Sequence, residues 1–295
     1  MGATLPPGLD PDRHIVIAGP TASGKSALAL AIAEAQGGTI VNADALQIWS
    51  CWRILTARPP ASDEARAPHA LYGHVAPGQA YSVGDWLAEV SGLMARASGR
   101  LIITGGTGLY LSALTRGLAV IPPVPAQIRA EADAILAAGG LARMIGDLDT
   151  TSRDRIDLQN PARVQRAWEV LTATGRGIAD WQAETPPPLI GADQGQFLVM
   201  NSDRDWLAER IARRFAQMMA QGALDEVRAI LPQWDPRAQW AKAIGAPELI
   251  AHLEGRLELD EAVERAIIAT RQYAKSQRIW FRGRMKDWRH INIGS

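Results

Sequence analysis

Apolar residues recur along this chain with two periods. Short unbroken runs, His14 to Ala18, Thr39 to Ala43, Arg100 to Thr104 and Phe197 to Met200, have the length and bounding turns of buried strands. Between them, residues 27–35, 82 to about 98, and 203–220 repeat apolar positions at three- and four-residue spacing, as amphipathic helices do. Asn201-Ser202-Asp203 supplies the cap of the last of these. Strands that alternate with helices predict an α/β fold with a parallel sheet core flanked by helices. Proline breaks the pattern at Ile121-Pro122-Pro123-Val124-Pro125 and again at Thr185-Pro186-Pro187-Pro188. The helical stretches near 126–138, 140–147 and 160–174 between these breaks predict a small inserted helical domain, 121–188, within a core of 12–120 and 189–295. Further helices are expected near 222–231, 246–254 and 260–281. Residues 56–82, rich in Pro, Gly and His, read as a long functional connection.

Between the first strand and the first helix lies Gly19-Pro20-Thr21-Ala22-Ser23-Gly24-Lys25-Ser26, a G-x-x-x-x-G-K-[ST] loop. Such a loop aims its backbone N–H groups at one spot before a helix N-terminus, where phosphate oxygens are stabilised. Lys25 adds a point charge, and the Ser26 hydroxyl is placed for Mg²⁺. The core is therefore expected to be P-loop NTPase-like and to bind a di- or triphosphate. Asp44, at the end of the second strand, should overhang the same crevice, as a base or as a capping residue. The third strand ends in Thr104-Gly105-Gly106-Thr107. In a usual P-loop nucleotidase an aspartate closes this strand and holds the metal, so its absence counts against routine ATP hydrolysis.

Composition changes this picture little. Hydrophobic content of 47% and charged content of 21% are those of an ordinary globular chain. The single cysteine, Cys51, excludes an internal disulfide and fits a reducing compartment. No run approaches membrane-spanning length, no secretory leader is read at the start, and the His and Cys residues lack metal-site spacing, so a cytoplasmic protein is expected. Charge changes more. The net charge is zero, yet from Arg265 to the end eight Lys and Arg stand against Asp287 alone, a polyanion footprint or a solvated helix face.

Taken together, the motifs resemble the tRNA dimethylallyltransferases, also called tRNA isopentenyltransferases, in their bacterial type. The resemblance runs from about Ile15 to Arg282. It is carried by the glycine-rich loop, Asp44-Ala45-Leu46-Gln47-Ile48-Trp49, Thr56-Ala57-Arg58-Pro59, Tyr81-Ser82, Gly105-Gly106-Thr107-Gly108-Leu109-Tyr110, Arg163 with Arg166-Ala167, and Thr270-Arg271-Gln272-Tyr273-Ala274-Lys275. It implies transfer of a dimethylallyl group from dimethylallyl diphosphate to N6 of adenosine 37 beside the tRNA anticodon, with Mg²⁺ as cofactor and a monomeric enzyme. It implies Asp44 as the base, Thr107 near the reacting atoms, and Arg214 with residues 19–26 on the diphosphate. For tRNA it implies Asp44, Ala45, Leu46, Gln47, Thr107, Arg129, Ala162, Arg163, Val164, Gln165, Arg166, Lys242 and Gly245. Ala45, Trp49, Ala246, Pro247 and Ser276 depart from the family's usual residues. The competing readings are a P-loop kinase of a small metabolite and a non-catalytic nucleotide-binding module that grips RNA.

Overall fold

The computed structural model describes residues 5–97 and 99–294. In chain order the elements are β1 (His14–Ala18), α1 (Lys25–Gln36), β2 (Thr39–Asn42), α2 (Ala61–Glu64), β3 (His69–Ala70), α3 (Val83–Arg96), β4 (Leu101–Gly105) and α4 (Gly108–Arg116). There follow α5 (Ala126–Ala137), α6 (Leu141–Asp147), α7 (Thr150–Arg155), α8 (Pro161–Thr174) and α9 (Ile178–Ala183). The chain then continues through β5 (Gly195–Ser202), α10 (Arg204–Ala220), α11 (Ala223–Ile230), α12 (Ala246–Leu253), α13 (Leu259–Arg284) and β6 (Arg289–Ile293). Ser98, near which the sequence ends α3, lies outside the described residues.

Two compact units result, residues 1–115 with 190–295, and residues 116–189. The first holds a six-stranded sheet in the order β3-β2-β4-β1-β5-β6, with every pairing parallel. Ile15 and Ile17 of β1 pair with Ile102 and Thr104 of β4 on one side and with Gln196 and Leu198 of β5 on the other. A strand paired on both sides and covered on both faces has no polar face, which is why β1 and β4 read as continuous apolar runs. Leu28, Ile32 and Ala33 of α1 pack on Ile15, Ile17, Ile40 and Ile102 of the sheet.

In such a sheet ligands gather beyond the carboxyl ends of the strands. The glycine-rich loop leaves the end of β1, Asp44 follows β2, and Gly106-Thr107 follow β4. The residue range 56–82, expected to be a long connection, carries α2 and the two-residue edge strand β3. The second unit packs α5, α6, α8 and α9 around Ala132, Met144, Leu148, Val164, Trp168 and Ile178. Among the described residues no helix is long and apolar enough to cross a membrane.

Candidate active site

The loop holds its shape through local bonds. The Pro20 carbonyl accepts the Ser23 N–H at 3.2 Å and the Lys25 ammonium at 3.4 Å. Gly24, the N-cap of α1, has φ +91°, a left-handed conformation that costs a side-chain-bearing residue about 1–2 kcal/mol. From α10, Arg210 donates its Nε–H to the Ala22 carbonyl at 2.9 Å while its guanidinium lies over the Trp206 ring. The helix that carries Arg214 is thus tied to the loop.

Asp44 is held by a clamp of buried polar contacts. Asn42, fully buried, accepts the Asp44 N–H at 2.9 Å and donates to the Asp44 carbonyl at 3.0 Å and to the Leu71 carbonyl at 3.0 Å. Asp44 Oδ1 accepts the Leu46 N–H at 3.0 Å, so the local capping bond expected of an aspartate here does form. The carboxylate nevertheless lines the same cleft as the loop, together with Thr21, Lys25, Ser26, Gln47 and Arg214. Leu55, Ile211, Phe215, Met218 and Ile244 line the same cleft and give it an apolar wall.

Electrostatics follow from this crowding. Burial lowers the Lys25 pKa to about 8, with the Asp44 carboxylate pulling it back up and the Arg214 guanidinium pushing it further down. Arg214 is also pushed below the usual guanidinium range by burial, again opposed by Asp44. Two desolvated cations around one carboxylate leave net positive charge, which a diphosphate would neutralise.

Of the remaining sequence-predicted residues, Leu46 and Gln47 line the cleft, whereas Ala45 and Thr107 do not. Gln47 spends its Nε2 on the carbonyls of Thr56 and Ala57, both at 2.9 Å, so its Oε1 is what it can offer a base edge. Thr107 accepts the Ala45 N–H at 2.9 Å and stands one bond away from the Asp44 segment. Lys242 ends a short 3-10 turn, and Gly245, with φ +95°, caps α12 and donates its N–H to Glu248 at 3.1 Å. Arg129 sits on α5 and residues 162–166 on α8, both in the second unit. There Val164 is fully buried in the core, Gln165 donates to Asp133 and Glu169, Arg163 is exposed and lies 3.5 Å from Asp157, and Arg166 is half-buried and lies 3.8 Å from Glu169.

Sequence reasoning passed over three groups. Ile211, Phe215 and Met218 recur at helical spacing on α10 and read as ordinary core. Arg210, which braces the loop, reads as a solvated cation. Tyr273 and Gln277 of α13 turn inward to the loop region, and only Tyr273 falls within a recognised motif.

No group of three or more His, Cys, Asp or Glu side chains is arranged for a metal ion among the described residues. The oxygen donor beside the loop, the Ser26 hydroxyl, nonetheless suits Mg²⁺, which takes one or two protein oxygens and completes its shell with substrate phosphates and water.

Comparison with known proteins agrees with this geometry. The IPP transferase family profile matches residues 47–284. The chain is 75% identical to a tRNA dimethylallyltransferase of Paracoccus denitrificans, covering 97% of this chain and 96% of that one. It is 61% identical to a tRNA dimethylallyltransferase of Cereibacter sphaeroides, over 97% and 91%. Among solved structures, a tRNA isopentenylpyrophosphate transferase of Bacillus halodurans superposes with a TM-score of 0.69 at 26% identity, covering 96% of this chain and 90% of that chain. A eukaryotic dimethylallyltransferase acting on tRNA shares the fold with a TM-score of 0.78 at 24% identity, over 95% and 73%. With a matched profile spanning most of its length and relatives this similar from end to end, the chain belongs to the IPP transferase family, that of the tRNA dimethylallyltransferases.

Proposed function

We propose that this protein transfers a dimethylallyl group from dimethylallyl diphosphate to N6 of the adenosine beside the 3′ end of a tRNA anticodon, releasing diphosphate. The observation that carries the reading is the composition of one cleft. A cationic phosphate cradle and a carboxylate share it with an apolar wall of Leu55, Ile211, Phe215, Met218 and Ile244. A kinase of a small polar metabolite has no use for that wall, whereas a five-carbon allyl group does.

The chemistry divides among these residues. As the allylic C–O bond breaks, negative charge builds on the departing diphosphate, and Lys25, Arg214 and the N–H groups of Gly24, Lys25 and Ser26 at the start of α1 would stabilise it. Mg²⁺, held by the Ser26 hydroxyl and the diphosphate oxygens, would share that charge. The apolar wall encloses the developing allyl cation and keeps out water that would capture it. The N6 lone pair of adenine, delocalised into the ring, forms the new C–N bond as its proton passes to Asp44, whose Oδ1 is already fixed by Leu46. The product is the N6-prenylated adenosine, with one proton on Asp44 and diphosphate in the loop. The target base lies in a structured loop of tRNA and must turn out of its stack to reach this cleft. Leu46 and Gln47 at the cleft, with Arg129, Arg163 and Arg166 of the second unit, are the residues that would position the RNA.

The test is incubation of purified protein with Mg²⁺, dimethylallyl diphosphate and unmodified tRNA, followed by nucleoside mass spectrometry. The expected result is a gain of one C₅H₈ unit on adenosine. Consumption of ATP with a small acceptor and no such gain would favour the kinase, and RNA binding without turnover of either donor would leave only a binding module.

A further inference from the structure

Helix α13 presents Thr270, Tyr273, Gln277 and Trp280 on one face, at spacings of three and four residues. Thr270 and Tyr273 line the cleft. Gln277 lies behind them, only 5% exposed on a helix otherwise rich in charge. Its Oε1 accepts the Thr21 N–H of the phosphate loop at 2.8 Å, and its Nε2 donates to the Gly106 carbonyl at 2.9 Å. Gly106 leads directly into Thr107, whose Oγ1 accepts the N–H of Ala45, the residue after Asp44.

Gln277 therefore joins the loop that would hold the leaving group to Gly106-Thr107, the short segment that Thr107 bonds to the backbone beside the proposed base. A side chain in that place must accept on one side and donate on the other from one rigid plane. A carboxamide does this, whereas an ionised carboxylate only accepts and an ammonium only donates. We infer that Gln277 is a positioning residue, touching neither substrate, that fixes the distance between the departing diphosphate and Asp44. This rests on the function proposed above. Misplacement of reacting groups by about 1 Å costs on the order of 10²-fold in rate, so loosening this strut should act on turnover.

The test is a double-mutant cycle. Gln277→Met keeps the length of the side chain and removes both bonds. At saturating donor and tRNA it should lower single-turnover prenylation about 10–100-fold in the wild-type background, and less than about threefold in an Asp44→Asn background, where the base it positions is already gone. A role confined to folding would cost the same factor in both backgrounds, and that result, or no loss in the wild type, would overturn the inference. Should Gln277→Met fail to fold, Gln277→Glu, which keeps the shape and the acceptor for Thr21 but loses the amide donor to Gly106, goes through the same cycle with the same expectation. Binding of inorganic diphosphate to Gln277→Met, measured by calorimetry, should weaken about threefold or more because the loop loses its anchor at Thr21. That measurement needs no prenyl transfer, so a wild type inactive on tRNA would sink the function reading while this arm still judged the strut, unchanged affinity counting against it.

Discussion

Lys25 makes the donor's affinity dependent on pH in a range where most lysines are silent. Burial brings its ammonium to a pKa of about 8, against the attraction of Asp44. A group with that pKa is roughly nine-tenths charged at pH 7 and roughly one-tenth charged at pH 9. If the charged form is the one that grips diphosphate, kcat/KM for the donor falls about tenfold between those two values, because kcat/KM reports the free enzyme. At saturating donor, kcat should hold to higher pH, since a bound diphosphate favours the charged lysine. Other groups near the cleft stay out of this window. Tyr72, Tyr110 and Tyr273 are pushed up by burial, and the Cys51 thiol is raised to about 11. The assay is kcat/KM for dimethylallyl diphosphate from about pH 7 to about pH 9.5 on wild type, Lys25→Arg and Asp44→Asn, the last at its lower absolute rate. Lys25→Arg, whose guanidinium stays charged throughout, should lose the inflection. Asp44→Asn should move it downward, because the carboxylate that raises the lysine is gone. A wild-type profile that is flat across the range, or an inflection that survives in Lys25→Arg, would refute the reasoning.

Three further outcomes follow from the same contacts. Because the folded pKa of Lys25 lies below its unfolded value, this group binds more protons in the unfolded chain between about pH 8 and pH 10.5, so its own contribution to ligand-free stability rises with pH across that window, against the opposite contribution of the raised Cys51 and tyrosines above about pH 9. The gain in stability on Lys25→Met should therefore be largest at neutral pH, up to about 3 kcal/mol, and shrink toward about pH 10.5, read as the difference between wild-type and variant urea midpoints. Asp44→Asn, with the Asn42 clamp left intact, should cut single-turnover prenylation about 10²–10⁴-fold while tRNA affinity changes little, and near-normal turnover would remove Asp44 from the mechanism. Arg163→Ala should weaken tRNA binding and reduce the slope of log K against log salt by about one, checked by filter binding at several salt concentrations.

What the sequence discloses about this fold and cleft depends on whether the signal is local. The buried strands β1, β2, β4 and β5 stand out as apolar runs, and α10 and α13 as long periodic stretches, because core packing imposes a period on consecutive residues. The edge strands do not stand out. His69–Ala70 is too short to show a period, and Arg289–Ile293 alternates polar and apolar residues inside a basic tail. Helices α7 and α9, six residues each, likewise fall below the length at which periodicity is legible. The glycine-rich loop and Asp44 announce themselves, since a phosphate cradle and a carboxylate at a strand end are local features. Gln277 does not, because its partners Thr21 and Gly106 lie 256 and 171 residues away. Nothing within several residues of it separates a strut from a solvated polar side chain. Phe215 and Met218 misled for the opposite reason, since an apolar stripe looks the same whether it faces a core or a prenyl group.

The end of β4 shows why a phosphate loop can serve a reaction in which no phosphoryl group moves. Where a phosphoryl-transfer enzyme of this architecture carries a metal-holding acid, this chain has Gly105. A side chain built there would overlap the backbone of Ala43, whose carbonyl also accepts the Thr107 N–H at 3.2 Å. The segment leaving β2 thus fills the space an acid on β4 would need, and it does so while carrying Asp44 into the cleft. Replacing Gly105 by an acidic residue could not restore a nucleotidase, because it would displace the Ala43–Asp44 backbone and with it the Ala45 bond to Thr107. The carboxylate of the site has moved from the strand beside the loop to the exit of the next strand, where Oδ1 is held by Leu46. On the mechanism proposed above it would take the proton of the incoming nucleophile there, while Lys25, Arg214 and the loop N–H groups would neutralise the departing diphosphate, and burial makes each of those charges count for more than it would in water.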